Sequence, residues 1–506
     1  MSNGFRVTSY ETQQGAKETI ANLDPVLYPT SVAVIGASSE FSKWGQLILT
    51  NIMAGGFEGK IFAVNPNETS LCGLPSYSSI LEVPESVDLV FITVPAARVK
   101  QVLEDCGQRG VKGVAMITSG FRETGPEGAR LEKEVVAICQ RYDMVLVGPN
   151  TMGIVSPHSK LYATGSHAQP RPGTVAFVSQ SGNLGGQVLH WVSRQGIGIS
   201  HFIGSGNEGM LGCIDYLRYL ERDKNAQIII LYMESVRDGK AFLDISRRVS
   251  KQKPIIVLKG GKTSAGKAAA LSHTGSMGGE YRIFKAVCNQ ARILSVETPS
   301  ELLDLSAAFS SLPLPKGDRV GIVTLGGGWG VVTADLCNEK GLKVPPLPQA
   351  VVETLDRFLP PFWSKGNPID LVGTLDIKVP MVAVEQLLKC DNIDAVISLG
   401  IAGRTELVSR WVNATRKVDP FVSSDFLDEA ILTAQKFEEE YVETIVDLME
   451  QYEKPIIGVS LARSRHEIVK PVKGKRYCGI FYQTPESAVN ALARMAQYTK
   501  FWTRNR

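Results

Sequence analysis

One histidine of this chain has neighbours that suit chemistry better than a hydrophobic core. His273 occurs in LSHTGSMGG (Leu271 to Gly279), among serine, threonine and glycine residues, and follows GGKTSAGKAAA (Gly260 to Ala270). Neutral imidazole dominates above a pKa of about 6.5 and is nucleophilic. The pattern predicts a small, polar, flexible loop whose histidine can accept a phosphoryl group, with a plain surface histidine as the alternative. The other five histidines are interpreted as such surface residues: His158, His167, His190, His201 and His466.

A candidate anion cradle and a candidate orienting acid occur upstream. SQSGNLGG (Ser179 to Gly186) follows an apolar run, which predicts Ser181 and Gly182 at a helix N-terminus, where hydroxyl and N–H groups suit a tetrahedral anion. Glu234 ends the apolar run IIILYMES, and a carboxylate at such a strand end is well placed to orient an imidazole. Ordinary turn packing and an ordinary strand-end acid remain the alternatives.

A second phosphate-binding turn is predicted near the N-terminus. GASSEFSKWG (Gly36 to Gly45) follows the run SVAVIGA and precedes a helical pattern, so it presents N–H groups and a helix dipole, and Lys43 adds a positive charge. The turn is not GxGxxG, and Asn65 ends the second strand where an NAD site usually has an acid. The sequence therefore favours a nucleotide-like ligand other than NAD, with a plain strand–turn–helix joint as the alternative.

The elements that must position these residues are short β-type runs alternating with helical patterns, which is typical of α/β folds with parallel sheets. The C-terminal ends of parallel strands face a common crevice, which would bring the candidate residues together. Pro157, Pro170 and Pro172 indicate a linker at 156–172. The sequence predicts three domains, over 21–155, 173–312 and 316–500.

The second and third domains resemble each other. VAFVSQSGNLGG (Val175 to Gly186) aligns with VGIVTLGGGWGV (Val320 to Val331), and two further pairs of segments follow in the same order. This order favours duplicated flavodoxin-like domains. The glycines of GGGWG (Gly326 to Gly330) permit close approach to an anion, and packing at a domain interface is an equal interpretation. The third domain carries an extra helical stretch, predicted over Ser424 to Tyr452.

Composition excludes several classes of function. The 506 residues carry a net charge of +3 and are 44% hydrophobic, which fits a globular protein and argues against a nucleic-acid-binding surface. The eight cysteines form no CxxC pair or Cys/His cluster, so reduced thiols in a cytoplasmic protein are expected and no metal site is predicted. The sequence has no run of about 18 apolar residues, so no membrane association is expected.

Taken together, these motifs resemble the α subunit of ADP-forming acyl-CoA synthetases and, more distantly, that of succinyl-CoA synthetase. The resemblance extends from about Leu23 to Arg494, and its most specific segment is SHTGSMGG, which is similar to the family's phosphohistidine loop. It implies a Rossmann-like CoA-binding domain followed by two flavodoxin-like domains of the succinyl-CoA synthetase type. It also implies that acyl-CoA, phosphate and ADP are interconverted with carboxylic acid, CoA and ATP through an acyl phosphate and a phosphohistidine.

The resemblance also implies roles for single residues. His273 would carry the phosphoryl group, Glu234 would steady it, and Ser181 and Gly182 would bind phosphate. CoA would lie against a further set of residues: Gly36, Ala37, Ser38, Lys43, Asn65, Pro66, Val94, Pro95 and Ser119.

No segment of the sequence is long enough for an ATP-grasp domain. ATP or ADP and Mg²⁺ are therefore expected on a partner, an ATP-grasp β subunit in a hetero-oligomer. Two other hypotheses stay open, a non-catalytic CoA- or acyl-CoA-binding protein of the same fold and, disfavoured by Asn65, an NAD-dependent dehydrogenase. The sequence names neither the acid nor the direction of the reaction.

Overall fold

The structure is a computed structural model that describes residues 8–11, 17–274, 280–374, 376, 378–460 and 467–503. Side chains are described for the same residues except 8–11, 17–20, 270–274 and 503. The chain divides into two compact units, Met1–Leu302 and Leu303–Arg506. The predicted domain bounds 21–155, 173–312 and 316–500 stay predictions.

The first unit begins with an antiparallel pair and a seven-stranded sheet. Strands β1 (Thr8–Glu11) and β2 (Lys17–Ile20) pair with each other. The sheet has the order β5-β6-β4-β3-β7-β8-β9, parallel except at β5, and its strands are β3 (Ser31–Ile35), β4 (Lys60–Val64), β5 (Ser70–Leu71), β6 (Leu74–Tyr77), β7 (Leu89–Ile92), β8 (Gly113–Met116) and β9 (Val145–Val147). Its helices are α1 (Asp24–Leu27), α2 (Trp44–Ala54), α3 (Ala96–Arg109) and α4 (Pro126–Arg141).

The same unit contains a second seven-stranded sheet. Its order is β11-β10-β13-β12-β14-β15-β16, where β10 pairs antiparallel with both of its neighbours and the other pairs are parallel. Its strands are β10 (Gly153–Ser156), β11 (Leu161–Thr164), β12 (Pro172–Ser179), β13 (Ile199–Gly204), β14 (Ile228–Met233), β15 (Ile255–Lys259) and β16 (Leu294–Val296). The helices are α5 (Gly182–Arg194), α6 (Cys213–Arg222), α7 (Gly239–Val249), α8 (Ser264–Thr274), α9 (Tyr281–Ala291) and α10 (Pro299–Ser311), the last crossing into the second unit.

The second unit holds a six-stranded sheet. Its order is β18-β17-β19-β20-β22-β21, parallel except at β21, with β17 (Val320–Thr324), β18 (Ile369–Asp370), β19 (Ala395–Leu399), β20 (Ile456–Val459), β21 (Val469–Pro471) and β22 (Cys478–Tyr482). Its helices are α11 (Gly327–Glu339), α12 (Gln349–Leu355), α13 (Lys378–Lys389), α14 (Arg404–Val418), α15 (Ser424–Tyr452) and α16 (Pro485–Thr503).

The α/β class and the parallel sheets confirm the prediction from the sequence. Central strands such as β3 and β17 are buried along their whole length, which explains their continuous apolar runs. The extra helix predicted in the second unit is confirmed as α15, whose buried face includes Phe437, Tyr441 and Ile445. No helix among the described residues is both long and apolar enough to cross a membrane.

The linker predicted at 156–172 is wrong in its central part. Residues Leu161–Thr164 form β11, which is buried throughout and pairs with β10 in the second sheet. The prolines on either side of this short strand give the segment the composition of a linker. Hydrogen bonding to β10 nevertheless holds its central residues as a strand.

Two expectations about histidines are also wrong. Backbone at 264–274, including His273, is helical as α8 rather than a loop, whereas residues 275–279 lie outside the described residues. His201 is a buried residue of β13 rather than a surface one, with its Nε2 2.6 Å from Asp223 Oδ2 and 2.9 Å from the Tyr28 hydroxyl. These contacts join the start of the chain to the second sheet. His466 lies outside the described residues.

Candidate functional site

A cavity of about 290 Å³ lies within the first unit, at the C-terminal ends of strands from both of its large sheets. Ser119 lines it from the segment after β8, and Gly182 lines it from the first turn of α5. The remaining polar wall comes from a larger set: Arg122, Asn150, Thr151, Gln180, Asn183, Asn207 and Ser235. One predicted CoA-binding residue and one predicted phosphate-binding residue therefore face the same space.

The first predicted phosphate turn is packed tightly against the helix that follows it. Gly36 has a φ of 90°, and a Cβ there would lie 2.7 Å from Thr93 Oγ1. A Cβ on Gly45, in the first turn of α2, would lie 1.9 Å from the carbonyl oxygen of Gly36. Only glycine fits at both positions, so the backbone at Ala37 and Ser38 is held beside the N-terminus of α2.

Lys43 is the N-cap residue of α2, and its ammonium pairs with Glu40. Both side chains are more than half exposed, at 57% and 67%, so the pair contributes little to stability. The lysine can therefore exchange Glu40 for a phosphate group at low cost.

The other predicted CoA residues follow the neighbouring strand ends. Asn65 comes directly after β4 and donates from Nδ2 to the carbonyl of Ala37 at 2.7 Å, and Pro66 follows it. Val94 and Pro95 lie between β7 and α3, where the Val94 carbonyl accepts from Thr118 Oγ1 at 2.7 Å. Asn65 thus fixes the shape of the first turn, at the position where an NAD site usually has an acid that binds the ribose.

Ser181 is the N-cap of α5, as predicted, and Gly182 is the first helical residue. The Ser181 hydroxyl accepts from Leu184 N at a long 3.4 Å. The side chain is 8% exposed, so an anion held there would be largely shielded from water. The free N–H groups and positive dipole end of this thirteen-residue helix suit such an anion.

Glu234 follows β14 directly, is 7% exposed, and is positioned by Gln180. Gln180 Oε1 accepts from Glu234 N at 2.6 Å and from Ser235 N at 3.0 Å, while its Nε2 donates to the Ser235 carbonyl at 3.1 Å. Lys259 Nζ donates to the Glu234 carbonyl at 2.6 Å, and burial lowers the pKa of this lysine. Tyr232 donates to Glu234 Oε1 at 3.2 Å. The predicted orienting acid therefore has a fixed backbone next to the cavity.

The helix that carries His273 lies beside the same cavity. Cα atoms of α8 come within 8 Å of Cα atoms in the turn Arg122–Thr124, and Arg122 lines the cavity. The side chain of His273 lies outside the described residues. Its role as phosphoryl carrier stays a prediction.

Sequence reasoning missed a charged network on the cavity wall. Arg122 lies 3.6 Å from Glu132, and burial lowers the pKa of its guanidinium. Asn207 donates from Nδ2 to Glu132 at 2.9 Å and to Glu123 at 2.6 Å. Arg122 occurs three residues after Ser119, and this position shortly after a strand end could have indicated from the sequence that it lies at the site. Within the described part of the chain, no group of three or more His, Cys, Asp or Glu side chains could hold a metal ion.

Three family models match the chain, in an order that agrees with its sheets. A CoA binding domain matches residues 30–157, a succinyl-CoA ligase like flavodoxin domain matches 172–309, and a ligase-CoA domain matches 320–407. The first two cover the two large sheets of the first unit except β11, and the third begins at β17.

Several curated proteins are similar over most of the chain. The ADP-forming acetate–CoA ligase II subunit alpha of Pyrococcus furiosus is 41% identical over 378 residues, which are 74% of this chain and 82% of that protein. The 4-hydroxybutyrate–CoA ligase (ADP-forming) of Nitrosopumilus maritimus is 36% identical over 74% of this chain. The match covers 54% of that second relative, so this chain spans about half the length of such longer proteins.

A solved structure agrees over almost the whole chain. The dinucleotide forming acetyl-coenzyme A synthetase 1 of Candidatus Korarchaeum cryptofilum, in complex with phosphate and ADP, is 30% identical with a TM-score of 0.79. The match covers 96% of this chain and 99% of that one. Together with the alpha-subunit match, it shows that this chain belongs to the family of ADP-forming acetate–CoA ligase α subunits, which are acid–thiol ligases.

Proposed function

We propose that this chain is the CoA-binding, phosphoryl-carrying subunit of an ADP-forming acyl-CoA ligase, which interconverts acyl-CoA, phosphate and ADP with carboxylic acid, CoA and ATP. The observation that carries the proposal is the first unit's cavity, where Ser119 at a strand end of the first sheet and Gly182 at the N-terminus of α5 line one space. A thioester and a phosphate bound from these two sides would meet.

The chemistry divides into three exchanges. Phosphate oxygen attacks the thioester carbonyl, the C–S bond breaks, and CoA leaves with an acyl phosphate remaining. An imidazole nitrogen of His273 then attacks phosphorus, and the carboxylate leaves. The phosphoryl group finally passes to ADP, which gives ATP and regenerates the imidazole. Each step exchanges one activated group for another, so catalysis depends mainly on positioning and on stabilising negative charge.

CoA lies, in this proposal, along the strand ends of the first sheet. Gly36, Ala37 and Ser38 bring backbone to a phosphate at the N-terminus of α2, and Lys43 supplies a cation that is otherwise held only by an exposed acid. Asn65 and Pro66 shape one side of the groove, Val94 and Pro95 the other, and Ser119 faces the cavity. The close packing of Gly45 against Gly36 supports this assignment because it fixes the turn.

Ser181 and Gly182 bind phosphate and then the developing phosphohistidine, and Glu234 accepts a hydrogen bond from the imidazole. The buried N-cap position, the helix dipole and the Gln180 contacts support these roles. An imidazole oriented by a carboxylate keeps one nitrogen available as the nucleophile.

The ADP and Mg²⁺ sites belong, in this proposal, to an ATP-grasp β subunit. Support comes from the relatives: the Pyrococcus furiosus protein is named a subunit alpha, and this chain covers 82% of it but 54% of the longer 4-hydroxybutyrate–CoA ligase. The longer relatives have room for a further domain in the same chain.

Phosphate transfer to the chain tests the proposal. The purified chain is mixed with its ATP-grasp partner, Mg²⁺ and γ-labelled ATP, and acid-labile, base-stable label is mapped by peptide. We expect label at His273, its loss in His273→Ala, and retention in His190→Ala, which changes an exposed histidine of α5. Unchanged labelling of His273→Ala would overturn the assignment, and CoA binding without any label would favour the non-catalytic CoA-binding protein.

A further inference from the structure

The second unit has a cavity of its own, of about 400 Å³, at the C-terminal ends of β17, β19 and β20. Its wall is mostly apolar, with Leu325, Leu399 and Val459 at the strand ends. Such a volume at the crevice of a parallel sheet is typical of a small-molecule site.

Two tryptophans line this cavity and remain accessible. Trp329 in the first turn of α11 is 45% exposed, and Trp411 on α14 is 57% exposed. A large aromatic side chain that lines an apolar cavity gains most from covering a ligand with an apolar body. The walls therefore favour a ligand with a large apolar part over a small inorganic ion.

Arg404 brings a positive charge to this apolar wall. It is half-buried, its guanidinium carbon lies 4.8 Å from the centre of the Phe437 ring, and its guanidinium donates to the Thr374 carbonyl over a long 3.5 Å. Among the described residues no acid forms an ion pair with it. Glu406 on the same helix pairs with Arg410 instead, at 3.2 Å. Burial lowers the pKa of Arg404, and the neighbouring Tyr441 offsets this only in part.

Ser460 provides a second, independent indication of a ligand. It lines the cavity directly after β20 and is 1% exposed, and its hydroxyl has no hydrogen-bond partner within the part of the chain that the structure describes. A buried hydroxyl is costly without a partner, and an acceptor in the cavity would satisfy it.

We propose that this cavity binds an organic monocarboxylate with an apolar body of aromatic size. Arg404 and the Ser460 hydroxyl hold the carboxylate, and Trp329 and Trp411 cover the body. An anion pairs with the guanidinium, its oxygen accepts from the serine, and the apolar walls exclude water from both contacts. A short acid such as acetate would leave most of the cavity unfilled.

Binding to the full-length purified chain tests the proposal by titration calorimetry and tryptophan fluorescence. The probes are 3-phenylpropionate, its amide 3-phenylpropanamide, and acetate. We expect saturable binding of 3-phenylpropionate, with the amide and acetate each weaker by about tenfold or more, since one lacks the charge and the other the body. Absence of saturable binding of any probe, or equal affinity for acid and amide, would overturn the proposal.

Arg404→Gln should weaken 3-phenylpropionate by about tenfold or more and remove the preference for acid over amide. The matched control is Arg410→Gln on the same helix, whose side chain is 63% exposed and pairs with Glu406, and it should stay within about twofold of wild type. Ser460→Ala should weaken the acid by about threefold and serves as the second variant if Arg404→Gln loses its fold by circular dichroism. An unchanged acid–amide ratio in both cavity variants would contradict the proposal.

The bound acid is either the substrate of the proposed ligase or a separate effector. In the complex with the ATP-grasp partner, conversion of 3-phenylpropionate to its CoA thioester, with KM raised by Arg404→Gln, identifies a substrate. Binding without conversion identifies an effector. The binding titration uses neither CoA nor ATP, so its failure is distinguishable from failure of the proposed function.

Discussion

The strand–turn–helix units β12–α5 and β17–α11 are two versions of one structure with different side chains at the turn. In each, the last hydroxyl of the strand donates to the carbonyl of the N-cap residue at 2.8 Å, from Ser179 to Ser181 and from Thr324 to Gly326. Both helices have thirteen residues. The two turns therefore share one backbone geometry and differ in their side chains.

Two aligned positions of the turn illustrate the difference. Gln180 in the first unit corresponds to Leu325 in the second, and Ser181 corresponds to Gly326. Gln180 lines the polar cavity and fixes Glu234, whereas Leu325 lines the apolar cavity. The two turns thus keep the same packing, while a change of side chain replaces a polar cavity wall by an apolar one.

The largest expected effect tests close packing at the proposed CoA-binding turn, Gly36 to Gly45. Gly45→Val would place a side chain where a Cβ lies 1.9 Å from the Gly36 carbonyl, so this turn must move. We expect CoA affinity to fall by about a hundredfold, measured by titration calorimetry. Gly328→Val, at a turn position of the second unit with open space around it, should leave CoA affinity unchanged. An equal loss of CoA affinity in Gly45→Val and Gly328→Val would show that close packing at Gly45 has no special role in CoA binding.

The sequence predicted the elements of this comparison better than their details. Continuous apolar runs located the parallel strands, because a strand covered on both faces is apolar along its length. The small polar residues after those runs located Ser181, Gly182 and Glu234 at helix and strand ends, where the structure has them.

Other features depended on partners distant in sequence. The strand Leu161–Thr164 is held by its pairing with β10, and no local pattern in a proline-flanked segment distinguishes it from a linker. His201 lies in ISHFIG, where apolar neighbours were a signal of burial that the interpretation as a surface histidine passed over. The alanines of AGKAAALSHT likewise favoured the helix α8 over the predicted loop.

A single substitution can test the polar side of the comparison directly. Gln180→Leu gives the first unit the residue of the second and removes the acceptor of Glu234 N and Ser235 N. Buried N–H groups without an acceptor cost about 1–3 kcal/mol each, so Glu234 should shift. We expect kcat of the complex to fall by about tenfold to a hundredfold while CoA affinity changes less than about twofold. An unchanged kcat would show that the position of Glu234 does not affect the reaction.

The second unit is apolar at its cavity but depends on an ion pair at the opposite ends of its strands. Arg319 and Asp394, at the starts of β17 and β19, share two side-chain hydrogen bonds of 2.8 Å. Burial alone would raise the pKa of Asp394, but the hydrogen bonds and charge of Arg319 outweigh burial and hold the pKa below its ordinary value. The stability contributed is therefore complete above about pH 4 and is lost as the pH falls through the folded pKa.

Asp394→Asn should destabilise the second unit at pH 7 by about 1–3 kcal/mol and make it less sensitive to acid than wild type. Hydrogen exchange of peptides from β17 and β19 measures the stability of this unit, and exchange in peptides from β3 and β4 should not change. Asp425→Asn, at an exposed position of α15, is the matched control. Wild-type acid sensitivity in Asp394→Asn would contradict the role of this pair.

The smallest expected effect separates capping from anion binding. Ser181→Gly gives α5 the N-cap residue of α11, and glycine costs an N-cap only a few tenths of a kcal/mol, all the more because the Ser181 contact to Leu184 N is a long 3.4 Å. The melting temperature should therefore hardly change. Loss of a shielded hydroxyl beside the proposed phosphate should raise KM for phosphate by about fivefold and leave KM for CoA unchanged. If stability fell and KM for phosphate did not rise, Ser181 would be a cap like any other, and the two turns would differ only in their wall residues.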